Sequence, residues 1–161
     1  MTTRTTEWQD VGLAVAGLAG KTGLEFLRAI IGGQLPHPPI SATLDFHITA
    51  ADEGYARFEG RAGEHQYNPM ATVHGGVACT LLDSAMSCAV MSVLDAESAY
   101  TTAQLNVNLT RPITAATGAL IAEGRILHRG RTLATAEGKL IDAKGTVLAH
   151  ATTTCLIIPR R

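Results

Sequence analysis

The stretch that most restricts how this chain can fold runs from Gly75 to Leu94, GGVACTLLDSAMSCAVMSVL. As a helix it would make about five and a half turns. Apolar side chains would lie nearly all round it, so other structure would have to wrap it. A membrane span is a poor alternative, because the stretch holds Asp83 and several Ser and Thr residues and is flanked by strand-like sequence. We therefore predict a long helix at the centre of the fold.

The sequence on both sides of this helix has the period of strands. From Ile40 to Ile48 apolar and polar residues alternate, and Tyr55 to Arg61 forms a weaker strand pattern. Four further strand-like runs follow the helix: Ala103–Thr110, Gly118–His128, Thr132–Asp142 and Val147–Ile158. Short turns containing Gly130 and Gly145 separate the last three runs, which indicates hairpins and a largely antiparallel sheet.

These elements predict an α+β chain of the hotdog type, with an antiparallel sheet wrapped around one long central α-helix. An N-terminal helix is expected to end near Gly32-Gly33, followed by a connection through Pro36, Pro38 and Pro39. We divide the chain into this helix and its connection, residues 1–39, and a hotdog domain, residues 40–161, as parts of a single domain.

Bulk properties narrow the functional classes. The formal net charge of -1 gives no basic surface for nucleic acid or an acidic membrane. The apolar run from Val11 to Gly20 could be part of a signal peptide, but Glu7 and Asp10 precede it and a helical pattern continues after it, which favours a helix of the mature domain. Cys79, Cys88 and Cys155 match no metal or redox spacing, and we interpret them as reduced and structural. A cytoplasmic protein is expected.

A short motif precedes the central helix. Asn68 is followed six residues later by His74-Gly75-Gly76, and Asp83 lies nine residues after the histidine. In this spacing the chain resembles the phenylacetate-pathway (PaaI-like) branch of the hotdog acyl-CoA thioesterases, and the similarity extends from about Leu24 to Ile158. The family commonly has glycine three residues before the histidine, where this chain has Ala71, so we expect a slightly altered loop.

The residue types of the motif suit thioester hydrolysis. Gly75 and Gly76 open the long helix, where free N–H groups and the helix dipole favour negative charge and where the lack of side chains lets a substrate approach. Gly75 N–H is thus a candidate oxyanion donor. Asp83 is a carboxylate in an apolar helix with no Lys or Arg within a turn, which favours a general base or nucleophile over a merely buried acid.

Two motif residues have competing interpretations. Asn68 could brace the turn before Pro69, but the motif favours positioning of water or the substrate carbonyl. His74 could be a packed, hydrogen-bonded residue or could take part in catalysis, and both remain open.

The resemblance implies further site residues. It places a hydroxyl near the thioester at the strand after the central helix, with Thr102 as the candidate and Thr101 as the alternative. It also places coenzyme A near the turn His128-Arg129-Gly130-Arg131-Thr132, with Arg111 nearby, and cations suit phosphate groups.

The expected substrate is an acyl- or aryl-CoA, so coenzyme A is part of the substrate and no separate cofactor or metal is predicted. By the same resemblance, the chain should form a homodimer or homotetramer in which Asn68 and Gly75 of one subunit face Asp83 of the other. The alternatives are a hotdog hydratase, which would pair an acidic residue with a histidine within about one turn, and a non-catalytic acyl-CoA-binding module.

Overall fold

A computed structural model describes residues 1–160 of the chain. Its four helices are α1 (Val11–Gly17), α2 (Gly23–Ile31), α3 (Pro39–Leu44) and α4 (Gly75–Met91). Its six strands are β1 (Phe46–Asp52), β2 (Tyr55–Arg61), β3 (Ser98–Leu109), β4 (Ala119–Arg129), β5 (Leu133–Asp142) and β6 (Val147–Pro159).

The six strands form one antiparallel sheet in the order β1-β2-β4-β5-β6-β3. Helix α4 contacts all six strands, and all of its residues are buried or partly buried. Leu82, Ala85, Met86 and Val90 are completely inaccessible to solvent. This is the hotdog arrangement of the α+β class, so the predicted fold and the predicted central helix are confirmed.

The N-terminal region differs from the single helix that the sequence predicts. Helix α1 ends at Gly17, and Gly20 adopts a left-handed conformation with φ 70°. A new helix then begins at Thr22, whose side chain accepts a hydrogen bond from Glu25 N while the Glu25 carboxylate accepts one from Thr22 N. This capping box nucleates α2 independently of α1. Only the predicted end near Gly32-Gly33 is confirmed.

The strand predicted from Ile40 is wrong in its first half. Residues 39–44 form the short helix α3, with Pro39 at its first position, where a missing N–H costs nothing. Asp45 ends the helix in a left-handed conformation with φ 62°, and β1 starts at Phe46. Ser41 is buried and Ile40 is 43% exposed, which reverses the faces that the strand pattern predicted.

The remaining predictions differ only at their ends. Helix α4 stops three residues before Leu94, and β3 starts five residues before Ala103. A register shift between Thr102 and Gln104 lies within β3. The sequence predicted that Ala103 and Leu105 lie on the same face, but Ala103 is exposed whereas Leu105 is partly buried.

Among residues 1–160, no helix combines the length and the hydropathy that crossing a bilayer requires.

Candidate active site

The loop before α4 is braced by Asn68. Its side-chain Oδ1 accepts a hydrogen bond from Met70 N at 2.8 Å, and its Nδ2 donates to Thr72 Oγ1 at 3.0 Å. Ala71, within this loop, has φ 58°, a left-handed conformation that is free for glycine and strained for alanine. The loop therefore holds Ala71 in a backbone conformation that its side chain disfavours.

His74 caps the N-terminus of α4. Its Nδ1 accepts a hydrogen bond from Gly76 N at 2.9 Å, and the side chain is exposed. In the neutral imidazole the proton therefore lies on Nε2. This contact uses the N–H of Gly76, which the sequence placed near the substrate.

The N–H of Gly75 has a different environment. It donates to no acceptor within the described residues, and it lies at the positive end of a 17-residue helix. A side chain at Gly75 would come within 2.6 Å of Leu109 Cδ1 on β3. Gly75 therefore offers a backbone donor to a ligand, and a side chain at this position would displace the Leu109 side chain.

A surface cavity of about 280 Å³ opens at this helix terminus. Its walls include four of the residues that the sequence singled out: Asn68, His74, Gly75 and Arg111. The cavity thus combines a free backbone N–H with a guanidinium group, a combination that suits a ligand carrying negative charge.

Asp83 lies elsewhere on the same helix. It is partly buried rather than fully buried, and its Oδ1 accepts a hydrogen bond from Thr102 Oγ1 at 3.0 Å. Thr101 is exposed, so the structure associates Thr102, and not its neighbour, with Asp83. None of the ion pairs formed within residues 1–160 involves Asp83. Its second carboxylate oxygen can therefore act on another molecule.

The two groups of residues are separated within one chain. Asp83 follows Gly75 by eight positions along α4, which is about 12 Å at the 1.5 Å rise of an α-helix. An oxygen bound to Gly75 N–H at about 3 Å is out of reach of the Asp83 carboxylate of the same chain. The structure brings together Asn68, His74, Gly75 and Arg111, and separately Asp83 and Thr102.

The turn His128–Thr132 belongs to the Asp83 side of the molecule. Leu133, just after this turn, pairs with Leu156 of β6, and the adjacent Cys155 pairs with Thr102. Arg111 follows the opposite end of β3. Neither Arg129 nor Arg131 forms an ion pair in the part of the chain that the structure describes, so both guanidinium groups are available to a ligand.

Sequence reasoning missed Tyr100 as a residue near Asp83. Tyr100 Oη donates to Ser87 Oγ at 3.3 Å, one helical turn after Asp83. Burial raises the pKa of the Tyr100 phenol well above its usual value. Burial, with the Asp83 charge adding to it, raises the pKa of Cys88 to about 12, so this cysteine is a neutral thiol at pH 7. The sequence does hold a signal for this cluster. Ser87 follows Asp83 by four residues on a helix and Tyr100 precedes Thr102 by two residues on a strand, so the two side chains of each pair lie on one face.

The fold and the helix-terminal site define the class of hotdog thioesterases, and comparisons with known proteins give the family. The sequence profile described as the Thioesterase superfamily matches residues 70–149. A crystal structure of a Ralstonia eutropha JMP134 protein, provisionally named a thioesterase and described as related to phenylacetic acid degradation, has 30% sequence identity and a TM-score of 0.73, covering 81% of this chain and 98% of that one. The chain therefore belongs to the thioesterase superfamily, which places it among the hydrolases.

Two further comparisons agree with this assignment, one in sequence and one in fold alone. A Halobacterium salinarum protein, provisionally named an esterase, is 39% identical over 82 residues, which are 50% of this chain and 52% of that protein. This chain therefore matches about half the length of that curated relative. The PaaI protein of the Escherichia coli phenylacetic acid degradation operon has 18% identity and a TM-score of 0.73, covering 87% of this chain and 96% of that one, and shares the fold.

Proposed function

We propose that this protein hydrolyses an acyl- or aryl-CoA thioester to a free acid and coenzyme A. The observation that carries the proposal is the unpaired N–H of Gly75, which starts α4 beside a cavity also lined by Asn68, His74 and Arg111. A donor at this position stabilises the thioester oxygen as it gains negative charge.

Asp83 supplies the carboxylate of the reaction. The hydrogen bond from Thr102 Oγ1 holds one carboxylate oxygen, which leaves the other to take a proton from an attacking water or to attack the carbonyl carbon directly. In the first route the water oxygen bonds to the carbonyl carbon, the C–S bond breaks, and the proton held by Asp83 passes to the leaving sulfur. In the second route an anhydride with Asp83 forms as the C–S bond breaks, and a water molecule then cleaves the anhydride to the free acid and supplies the proton of the coenzyme A thiol. Cys88 does not compete as a nucleophile, because its pKa of about 12 keeps the sulfur protonated at pH 7.

The complete site requires two copies of the chain. Gly75 and Asp83 of one chain are about 12 Å apart, whereas the reaction needs both within bonding distance of one carbonyl group. Strand β3 is a sheet edge of 12 residues, and an uncovered edge of this length favours pairing with another strand.

The contacts of β3 support a particular pairing. Gly75 lies against Leu109 near the end of β3, and Asp83 bonds to Thr102 nearer its start. If two β3 strands pair antiparallel about a twofold axis near Leu105–Asn106, halfway between these positions, Gly75 of one subunit comes beside Asp83 of the partner subunit. We propose a homodimer of this kind, alone or as half of a homotetramer.

Arg129 and Arg131 complete the proposed substrate contacts. Arg129 ends β4 and Arg131 follows it, on the Asp83 side of the sheet, and neither has an ion-pair partner within the described chain. We propose that this turn, with its neighbours His128, Gly130 and Thr132, receives the phosphate groups of coenzyme A, and that Arg111 contacts the same substrate from the subunit that contributes Gly75.

The thioesterase proposal is tested by following thiol release from a panel of acyl-CoA substrates with a thiol reagent. A hydratase would consume an unsaturated acyl-CoA without releasing thiol, and a binding module would bind acyl-CoA without turnover. The geometry also disfavours the hydratase, which would pair a histidine with an acidic residue. His74 precedes Asp83 by nine residues and caps the N-terminus of the helix, so the two side chains of one chain do not form such a pair.

We expect Asp83→Asn to lower kcat about a hundredfold or more while the fold is kept, because it removes the base or nucleophile and little volume. Asp52→Asn is a matched control, since Asp52 is an exposed carboxylate that pairs only with the exposed Arg28. Near-normal turnover by Asp83→Asn would contradict the assignment.

The shared site is tested by subunit mixing. Asn68→Ala and Asp83→Asn should each inactivate the homodimer, and co-refolding the two proteins should recover activity, because a hybrid dimer has one site with both native residues. Sedimentation at micromolar concentration should show no monomer. An active monomer, or mixed dimers without recovered activity, would show that the site lies within one chain.

A further inference from the structure

A second cavity, of about 190 Å³, lies between the N-terminal helices and the body of the fold. Helices α1 and α2 and the loop Pro36–Pro38 form one side, and β1, β2, β3 and α4 form the other. Its walls are mainly apolar and include Ala14, Phe26, Ile30, Ile48, Met91 and Tyr100. The thioester chemistry described above does not use this space.

Asp83 does not line this cavity, but burial and the charge of Asp83 together raise the pKa of two residues that do, Cys88 and Tyr100, so the carboxylate lies near one end of the cavity. Tyr100, in its wall, donates a hydrogen bond to Ser87, which follows Asp83 by one helical turn, about 6 Å along the helix. On β3, Tyr100 precedes Thr102 by two residues, so both side chains share a face and meet the same face of α4. A group attached to a carbonyl at Asp83 would have to pass Ser87 and Tyr100 to enter the cavity, a distance of about one helical turn.

We propose that this cavity binds the acyl group of the thioester and that Ala14 of α1 limits its depth. The proposal rests on the proposed acyl-CoA hydrolysis and adds the substrate class. An apolar protein cavity of about 150 Å³ holds a benzene ring. A cavity slightly larger than this fits an arylacyl group or an unbranched chain of about six carbons, and is too small for a long fatty acyl chain.

The lining also specifies the polarity of the acyl group. No Asp, Glu, Lys or Arg side chain is among the lining residues. The Tyr100 hydroxyl is already bonded to Ser87. Burial, followed by repulsion from His47, lowers the pKa of His37, so this lining residue is neutral at pH 7. An acyl group with a second carboxylate would lose its hydration without gaining a partner, and is excluded.

Helix α1 is the wall that can be altered without damage to the core. None of its residues is buried, and Leu13 and Val15, on either side of Ala14, are 54% and 67% exposed. A larger side chain at Ala14 enters the cavity, whereas the same side chain at Val15 enters solvent. These two positions give a matched pair for an experiment.

The experiment compares kcat/KM for acetyl-, hexanoyl-, phenylacetyl- and palmitoyl-CoA. The unaltered protein should prefer the hexanoyl and phenylacetyl substrates. Ala14→Phe should lower kcat/KM for these two by about tenfold or more and leave acetyl-CoA nearly unchanged, since the lost contacts involve only the distal part of the acyl group. Val15→Phe should leave the whole profile unchanged. Phe26→Ala, which widens the cavity, should shift the preference towards longer chains.

The outcomes separate the two levels of the proposal. Hydrolysis with the same substrate profile in all variants, or an equal loss on acetyl-CoA and phenylacetyl-CoA in Ala14→Phe, would overturn the acyl-pocket assignment and leave the thioesterase proposal intact. An unaltered protein that releases thiol from none of the four substrates would contradict the proposed function and, with it, this assignment.

Discussion

Single side chains in the loop before α4 determine how the helix terminus is presented. Asn68 is satisfied largely by the loop itself, through Met70 N and Thr72 Oγ1, which is the bracing interpretation of this residue. That bracing holds the chain that leads to Gly75. A role of Asn68 in contacting the substrate stays a prediction, and it is compatible with bracing because one Nδ2–H can still face the cavity.

Ala71 should be a site where a glycine stabilises the protein. Its φ of 58° costs alanine about 1–2 kcal/mol, a strain that glycine would remove. Glycine also has more freedom in the unfolded chain, which cancels about 0.5–1 kcal/mol of that gain in stability. We expect Ala71→Gly to raise the free energy of unfolding by about 0.5–1 kcal/mol, measured by urea denaturation. Ala16→Gly, in the exposed face of α1, should instead lower it, and a destabilising Ala71→Gly would contradict the strain argument.

Thr102 is a positioning residue for Asp83. Thr102→Val removes the 3.0 Å hydrogen bond to Asp83 Oδ1 with little change in volume. We expect kcat to fall about tenfold with little change in KM, because the carboxylate loses its orientation while the substrate contacts remain. Thr102→Ser keeps the hydroxyl and should restore most of the activity. Equal activity of the Val and Ser variants would show that the hydrogen bond has no part in the reaction.

At the scale of elements, the contact between α4 and β4 depends on close backbone approach. A side chain at Gly124 would overlap the carbonyl oxygen of Ala85, which lies in the completely buried part of the helix. This glycine lets the sheet curl tightly enough for α4 to contact every strand.

Gly124→Ala should therefore destabilise the protein by about 3 kcal/mol or more, because neither the helix nor the strand can move without disturbing the core. Gly12→Ala adds the same methyl group to an exposed helix position and should be neutral or slightly stabilising. Thermal unfolding of both variants checks the comparison, and a Tm for Gly124→Ala close to that of the unaltered protein would contradict it.

At the scale of the whole molecule, one chain carries two incomplete halves of the proposed site. The donor at Gly75 and the carboxylate at Asp83 lie at different levels of one helix, and the sheet edge β3 runs past both. In the proposed dimer, association determines activity and not only stability, so we expect dilution below the dissociation constant of the dimer to abolish turnover.

The arginines at the β4–β5 turn provide a test of how coenzyme A is held. Arg129→Ala combined with Arg131→Ala should raise KM for an acyl-CoA roughly tenfold and change kcat much less, since exposed phosphate contacts act on substrate and transition state alike. A short N-acetylcysteamine thioester, which lacks the nucleotide, should be unaffected. Equal losses on both substrates would place these arginines outside the coenzyme A site.

Local patterns predicted most of the elements. The all-round apolar stretch predicted α4, and the alternation with glycine-containing turns predicted β2 and the strands β4, β5 and β6 to within about one residue. The spacing of Asn68, His74, Gly75 and Asp83 predicted the residues of the candidate site. These features could be read from the chain because helix periodicity, turn formation and capping depend on residues only a few positions apart.

Other features depend on contacts between distant residues and could not be predicted in this way. The pairing of Thr102 with Asp83, the position of β3 at the sheet edge and the cavity under α1 each join segments that are far apart in the sequence. Helix α3 was also missed, because apolar residues at Ile40, Ala42 and Leu44 have the spacing of a strand. In the structure Pro39 starts a short helix there and Asp45, in a left-handed conformation, ends it. Local period therefore identified most of the elements. The packing of the sheet around α4 decided which side chains meet, since burial and hydrogen bonding between distant segments are set only when the whole chain is folded.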